Sequence, residues 1–315
     1  EDGGMEKLRS FASPLEALTY LGDCYVRGTK RYEEDADAAK EMRELTMLLY
    51  NPDETNDAYK TYLEAKKINL DYFKSITARL GSTFDDFIFE GEAGIEGAKI
   101  VRENIPNVFE ESDGAVIYKG EQDGLHTRVF INKDGNPTYE AKDVGLLSLK
   151  FKKFSPDISI FITDHEQEEY FKVVATAAGK VNSEWKAKTV HRTHGRMSFK
   201  GQKMSSRLGG VPLAQTLLDT LFDEVKERAT RELTHEGIDA VAIAALKFSI
   251  LRVMAGKNIN FDPDTSLSFE GDSGPYLQYT HARITSVLEK AEAAGVFVSF
   301  TSAPEVPYDI EKVLY

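Results

Sequence analysis

The 315-residue sequence predicts an α/β fold: a parallel sheet interleaved with helices in mid-chain, a mostly helical segment before it and an α-helical bundle after it. Three observations carry this. Short β-branched or aromatic runs alternate with helical patterns across 113–179. Residues 29–80 place apolar side chains at helical spacing. From Val211 onward the apolar residues again fall three to four apart.

In chain order, the stretch Glu33–Asp57 holds nine acids and two bases, a solvated face rather than a site. Tyr59, Leu63, Leu70, Phe73, Ile76 and Leu80 then form an amphipathic stripe that Gly81 ends. DGAVIYK, LHTRVFIN and DISIFIT read as strands, the second followed by the turn Lys133-Asp134-Gly135-Asn136-Pro137. Helices are expected at about 140–154 and 165–179, which makes the strands parallel. Leu217, Leu218, Leu221, Phe222 and Val225 line one helix, 238–254 is a nearly continuous apolar helix, and a polar loop leads to a last helix over about 276–294.

Bulk composition narrows the class. With 41% hydrophobic and 29% charged residues the chain is ordinary globular protein. No apolar run has the ~18 residues of a membrane span, and no signal-peptide core opens the chain, so a cytoplasmic protein without membrane contact is expected. The lone Cys24 excludes an intramolecular disulfide and a cysteine-rich zinc site. A formal charge of -13 argues against non-specific coating of nucleic acid, but not against a local basic face. The chain opens on Glu1 rather than Met, and a piece of a longer protein is expected.

The chemistry concentrates in 186–207, KAKTVHRTHGRMSFKGQKMSSR, with seven Lys/Arg, two His and no acid. Gly195, Gly201, Ser205, Ser206, Gly209 and Gly210 let backbone approach a ligand, and Lys203 and Arg207 can neutralise transferring phosphates. That is the makeup of a polyphosphate-binding loop. Two decoys fail. Gly91, Gly94 and Gly97 miss the dinucleotide spacing, and after Gly195 and Gly201 a glutamine, Gln202, stands where a P-loop needs lysine. His191 and His194 have no Cys or carboxylate nearby in sequence, so no metal site is expected.

Lys203-Met204-Ser205-Ser206-Arg207 resembles the KMSKS signature of class I aminoacyl-tRNA synthetases in a KMSSR form. Asp134-Gly135-Asn136-Pro137-Thr138-Tyr139-Glu140-Ala141-Lys142-Asp143 is similar to the DGxPTYxxxD segment of arginyl-tRNA synthetases. The stretch from Phe269 to Arg283 resembles the opening of their anticodon-binding bundle. The resemblance runs from about Asp113 to Val287 and implies a Rossmann-like catalytic domain, here its second half, over 113–211. A connective insertion over 1–112 would precede it, a helical stem over 212–270 would follow, and the bundle would begin over 271–315.

The resemblance further implies ATP-dependent activation of L-arginine and its transfer to tRNA(Arg), with Mg2+ arriving on ATP and the protein monomeric. A guanidinium calls for a carboxylate, because planar bidentate pairing holds it best. Tyr139 and Asp143, four apart, share a helix face; Asp143 would take the guanidinium, Tyr139 would wall the pocket, and Gln167 would help hold the amino acid. Lys203 would stabilise the pentacoordinate phosphate, Ser205 and Ser206 would position the loop, and Arg207 or another cation would cover the charge missing at Ser206. His194, Gly195 and Met204 would contact ATP, and Gln278, His281 and Arg283 would face tRNA or the catalytic domain.

One departure matters: none of the six histidines stands in an H-x-G-H pattern, the family's first ATP signature. These 315 residues are therefore not expected to complete adenylation alone. A non-catalytic tRNA- or protein-binding module is the alternative, although such a module has no use for a KMSSR loop. Among class I enzymes, a cysteinyl one would want zinc ligands, and those for apolar substrates would not need Asp143.

Overall fold

A computed structural model describes residues 3–199, 202–203, 214–229, 232–268 and 270–296; at 199, 202 and 203 the description covers the backbone. The chain forms two compact units, one of residues 1–217 with 253–260, the other of 218–252 with 261–315.

The first unit opens with four helices, α1 (Gly4–Arg9), α2 (Pro14–Glu34), α3 (Ala36–Thr46) and α4 (Asp57–Arg79). Their ends are written in the sequence. Ser13 accepts from the Glu16 N–H, with Pro14 at the first helical turn. Asp35 terminates α2 and caps α3 through the Asp37 and Ala38 N–H groups. Asn56 caps α4, and Gly81, at φ +69°, turns the chain away from its end. The expected helix and its stop are both present, but of its apolar stripe Ile76 is buried while Leu63 and Phe73 are exposed.

Next come α5 (Glu90–Glu103), the strands β1 (Glu110–Ser112), β2 (Ala115–Tyr118) and β3 (Arg128–Ile131), and α6 (Tyr139–Phe154). β1, β2 and β3 form an antiparallel meander, not part of a parallel sheet. The reason is loop length. Asp113-Gly114, with φ +50° and +77°, closes a two-residue hairpin. Residues 119–127 are too few for the crossover of about a dozen residues that parallel strands require.

The parallel pair expected of an α/β fold comes afterwards. β4 (Ser159–Asp164) runs beside β5 (Thr189–His194), and α7 (Glu168–Val181) with α8 (Ser183–Ala187) makes the crossover. Ser159 and Phe161 of β4 are buried, whereas Ile158, Ile160 and Ile162 are exposed; the strand is apolar on both faces, as strands of parallel sheets are. One core unites Val101, Phe109, Tyr118, Phe130, Val144, Leu147, Phe161, Phe171, Val174 and Trp185. β6 (Met197–Phe199) lies between β7 (Gln202–Lys203) and β8 (Ile259–Phe261).

α5 and α6 cross where neither can carry a side chain. A Cβ on Gly97 would lie 1.8 Å from the Ala141 carbonyl oxygen, and one on Gly145 would lie 1.9 Å from that of Ala93. The glycines dismissed above as a phosphate loop thus include a helix-packing contact.

In the second unit, Leu218, Leu221 and Val225 of α9 (Ala214–Arg228) are buried, as their spacing predicts. α10 (His235–Leu251) is the apolar helix. The stretch read as a polar loop contains β8 and the short α11 (Pro263–Ser266). α12 (Gly274–Ala293) starts on a Ser273 cap, and a Cβ at Gly274 would come 2.4 Å from the Ala244 carbonyl oxygen of α10. Arg228–Asp264 at 2.6 Å and Arg252–Asp272 at 2.9 Å tie the unit together. Among the described residues no helix is long and apolar enough to cross a membrane.

Candidate active site

The Asp134–Thr138 turn delivers α6 to the site. Asn132 Oδ1 accepts from the N–H groups of Asp134 and Asn136 at 3.1 and 2.9 Å, and Gly135 takes φ +81°. Thr138 precedes the helix and donates its hydroxyl to the Val129 carbonyl at 2.6 Å. The first turns of α6 are thereby fastened to β3.

Asp143 lies one turn into α6. The Tyr170 hydroxyl, from the start of α7, donates to its Oδ2 at 2.5 Å. Burial pushes the Asp143 carboxyl above the usual carboxylate range; the Tyr170 bond opposes that, and the charges of Glu140 and Glu90 add to it. Burial, and then Asp143 itself, push the Tyr170 hydroxyl far above the normal tyrosine range, so it stays a donor. The Arg128 guanidinium stands 5.7 Å from the Tyr170 ring centre and 3.5 Å from the Glu140 carboxylate. The Lys142 charge also favours the ionised form, but burial prevails, which makes a poor ground state for an empty site and a good one for receiving a cation.

Tyr139 is 66% exposed, so its ring is not part of the core. The Lys142 ammonium sits 4.6 Å from its ring centre and 3.0 Å from the Glu90 carboxylate, with Tyr50 on the other side at 5.7 Å. Burial pulls the Lys142 ammonium down, but the bonds to Tyr50 and Glu90 outweigh it and hold it above the ordinary lysine range. Lys142 thus joins the amino-terminal helical segment to α6. Lys142→Met should lower unfolding free energy by about 1 kcal/mol in urea titrations, since Glu90 stays partly solvated after losing its partner.

Gln167 is exposed at the amino-terminal end of α7, three residues before Tyr170. Asp143 and Tyr170 are in direct contact; Tyr139 and Gln167 stand at the starts of the two helices that carry them. Tyr170 is the residue that sequence reasoning missed. Its place three after Gln167 is the one available signal, and a tyrosine on an apolar helix face reads as core.

The basic segment behaves less uniformly than its composition suggests. Arg196 is paired with Asp164 at 2.8 Å and with Glu166, and Lys188 with Glu184 at 2.8 Å. His191 shares a 2.8 Å hydrogen bond with Thr163, stacks on Phe171 at 4.3 Å, and has its imidazole pushed below the usual histidine range by burial, the habits of a packed histidine. Among the described residues no group of three or more His, Cys, Asp or Glu is placed to hold a metal ion. His194 is exposed at the end of β5. Gly195 is buried, and a Cβ there would lie 2.1 Å from the Lys257 carbonyl oxygen. The Lys203 backbone pairs with Ser198 in β7; Met204, Ser205, Ser206 and Arg207 lie outside the described residues. On α12, Gln278 donates its amide to the Ala240 carbonyl of α10 at 3.2 Å. His281 and Arg283 are exposed, the latter donating to the Tyr279 hydroxyl at 3.1 Å.

Solved synthetases share this fold. Against the Thermus thermophilus arginyl-tRNA synthetase the TM-score is 0.63 with 20% identity, over 90% of this chain and 54% of that one. Against the Plasmodium falciparum enzyme it is 0.64 with 18% identity, over 81% and 44%. The fold is that of a class I tRNA synthetase.

Residues 6–260 match the family described as "tRNA synthetases class I (R), catalytic domain", and the chain belongs to that family. The arginine–tRNA ligase of Amoebophilus asiaticus is 32% identical over 238 residues, covering 72% of this chain and 40% of that protein. That of Bacteroides fragilis strain YCH46 is 31% identical over 318 residues, covering 92% and 52%. The chain spans about half the length of the curated relatives it matches or less.

Proposed function

We propose that this chain is part of an arginine–tRNA ligase that activates L-arginine with Mg2+-bound ATP and passes it to tRNA(Arg). The observation that carries the reading is Asp143: a half-buried carboxylate oriented by one tyrosine and crowded by two other acids. A guanidinium would satisfy it with two parallel hydrogen bonds and remove the electrostatic cost of its burial. Tyr139 would wall the substrate's side, Gln167 would reach it from α7, and Tyr170 would keep Asp143 aimed. A non-catalytic module would gain nothing from this arrangement.

In activation, an arginine carboxylate oxygen attacks the α-phosphorus of ATP, the bond to pyrophosphate breaks, and arginyl-adenylate forms. A ribose hydroxyl of the tRNA terminus then attacks the acyl carbon, and AMP leaves. Lys203 and Arg207 would neutralise the charge that builds on the transferring phosphates, with Ser205 and Ser206 shaping the loop and His194, Gly195 and Met204 on the nucleotide side. His281 and Arg283 are the better tRNA contacts on α12, since Gln278 already bonds α10. A cytoplasmic monomer completes the reading.

Lys203→Ala in the full-length enzyme should slow arginine-dependent ATP–pyrophosphate exchange about 100-fold, with tRNA present and arginine affinity nearly unchanged. An unchanged exchange rate removes Lys203 from the chemistry. Exchange driven equally well by other amino acids refutes arginine as substrate.

A further inference from the structure

A second feature of α6 lies away from Asp143, close to the helix's other end. Lys150 and Phe154, four residues apart on one face, border a cavity of about 420 Å3 whose other walls include Phe84, Ile88, Asp85 and Asp86. Phe84 is fixed in an aromatic cluster, 5.5 Å from Phe73 and 5.8 Å from Phe87 between ring centres. The Lys150 ammonium lies 4.3 Å from the Phe161 ring centre and, among the described residues, has no carboxylate within ion-pair distance. Its neighbours on α6 differ: Lys152 is bound to Glu96 and Lys153 to Asp86, each at 2.5 Å. Lys150 is therefore an amine held in an apolar, aromatic setting, with open volume in front of it.

We propose that Lys150 is a nucleophilic amine and the preferred site on this chain for Nε-acylation by small acyl donors bearing a good leaving group. The Phe161 face favours the cation. The acids bordering the cavity are Asp85 and Asp86, and Asp86 is already neutralised by Lys153. Against these, burial pulls the Lys150 ammonium below the ordinary lysine range. The neutral amine is thus more populated near neutral pH than on an exposed lysine. In the reaction the Nζ lone pair attacks the acyl carbon. The new C–N bond forms as the bond to the leaving group breaks, and the leaving group departs with that electron pair and takes up the amine's proton. The product, a neutral amide with an apolar acyl group, suits the cavity better than the charge it replaces.

This inference is independent of the ligase reading. Its test is limited labelling of the full 315-residue chain with N-acetylimidazole, each lysine being followed by peptide mass spectrometry. At about pH 7.5 Lys150 should acetylate about threefold or more faster than the exposed Lys67, and the lead should shrink as the pH is raised. Lys150→Arg should abolish the fast-labelled site and leave the rates at other lysines unchanged. Lys150 labelling at or below the rate of Lys67 at about pH 7.5 overturns the proposal, whether a charged amine or a closed cavity is the cause.

Discussion

Asp143→Ala should cost arginine affinity about 100-fold or more while ATP affinity changes less than about threefold. Removing one partner of a desolvated charge pair costs about 3–5 kcal/mol, and nothing in the geometry ties Asp143 to the nucleotide side. Isothermal titration of each ligand separates the two losses; equal losses would remove Asp143 from guanidinium recognition. Asp143→Asn adds a stability readout that a merely structural aspartate would not give. The folded-state carboxyl titrates above its unfolded value, so its favourable contribution exists at low pH and is lost as pH rises through the folded pKa. The asparagine keeps the Tyr170 bond and carries no charge. The unliganded Asn variant should therefore match the native chain at acid pH and exceed it in unfolding free energy at neutral pH, while losing arginine. That trade of stability for function is expected where a site holds an unpaired charge ready for its ligand.

The second large effect is steric. Gly97→Ala or Gly145→Ala places a methyl group 1.8 or 1.9 Å from a backbone carbonyl oxygen of the facing helix, and backbone cannot step aside as a side chain tip can. Either change should cost about 3 kcal/mol or more in urea unfolding, because α5 and α6 must separate. Ala141, the residue Gly97 touches, lies between Tyr139 and Asp143, so the separation should weaken arginine binding as well. Gly22→Ala in α2 is the internal control. Nothing lies within 4 Å of its added Cβ, and the variant should gain about 0.5–1 kcal/mol from reduced chain entropy. A control as damaging as Gly97→Ala would mean that helix glycines matter here for some reason other than close approach.

These contrasts show what could be read in advance. Local signals were legible: the Ser13-Pro14 start of α2, the Asn56 cap and Gly81 stop of α4, and the Asp134–Asp143 segment that sets Asp143 one turn beyond Tyr139. Features that depend on a distant partner were not. The three glycines of α5 read as a failed phosphate loop because what they pack against lies far away in sequence; the contact of Gly97, Ala141 on α6, is 44 positions beyond it. Tyr170 carried no mark of function until α7 brought its hydroxyl to Asp143, 27 residues away. Strand direction was misjudged for the Ala115–Tyr118 and Arg128–Ile131 runs because helical patterns farther along implied alternation, whereas short connections dictate a meander. His191 is explained by Thr163 and Phe171, neither visible from its sequence neighbourhood.

The central claim is that Asp143 reads a positive, planar guanidinium. Calorimetric titration with L-arginine and with citrulline, whose ureido group has nearly the same shape without the charge, tests it most directly. Arginine should bind about 100-fold tighter than citrulline to the native protein, and the difference should largely vanish in Asp143→Asn, where a neutral amide meets both ligands. Equal affinities for the two ligands in the native protein would contradict the claim, as would a preference that survives the loss of the Asp143 charge.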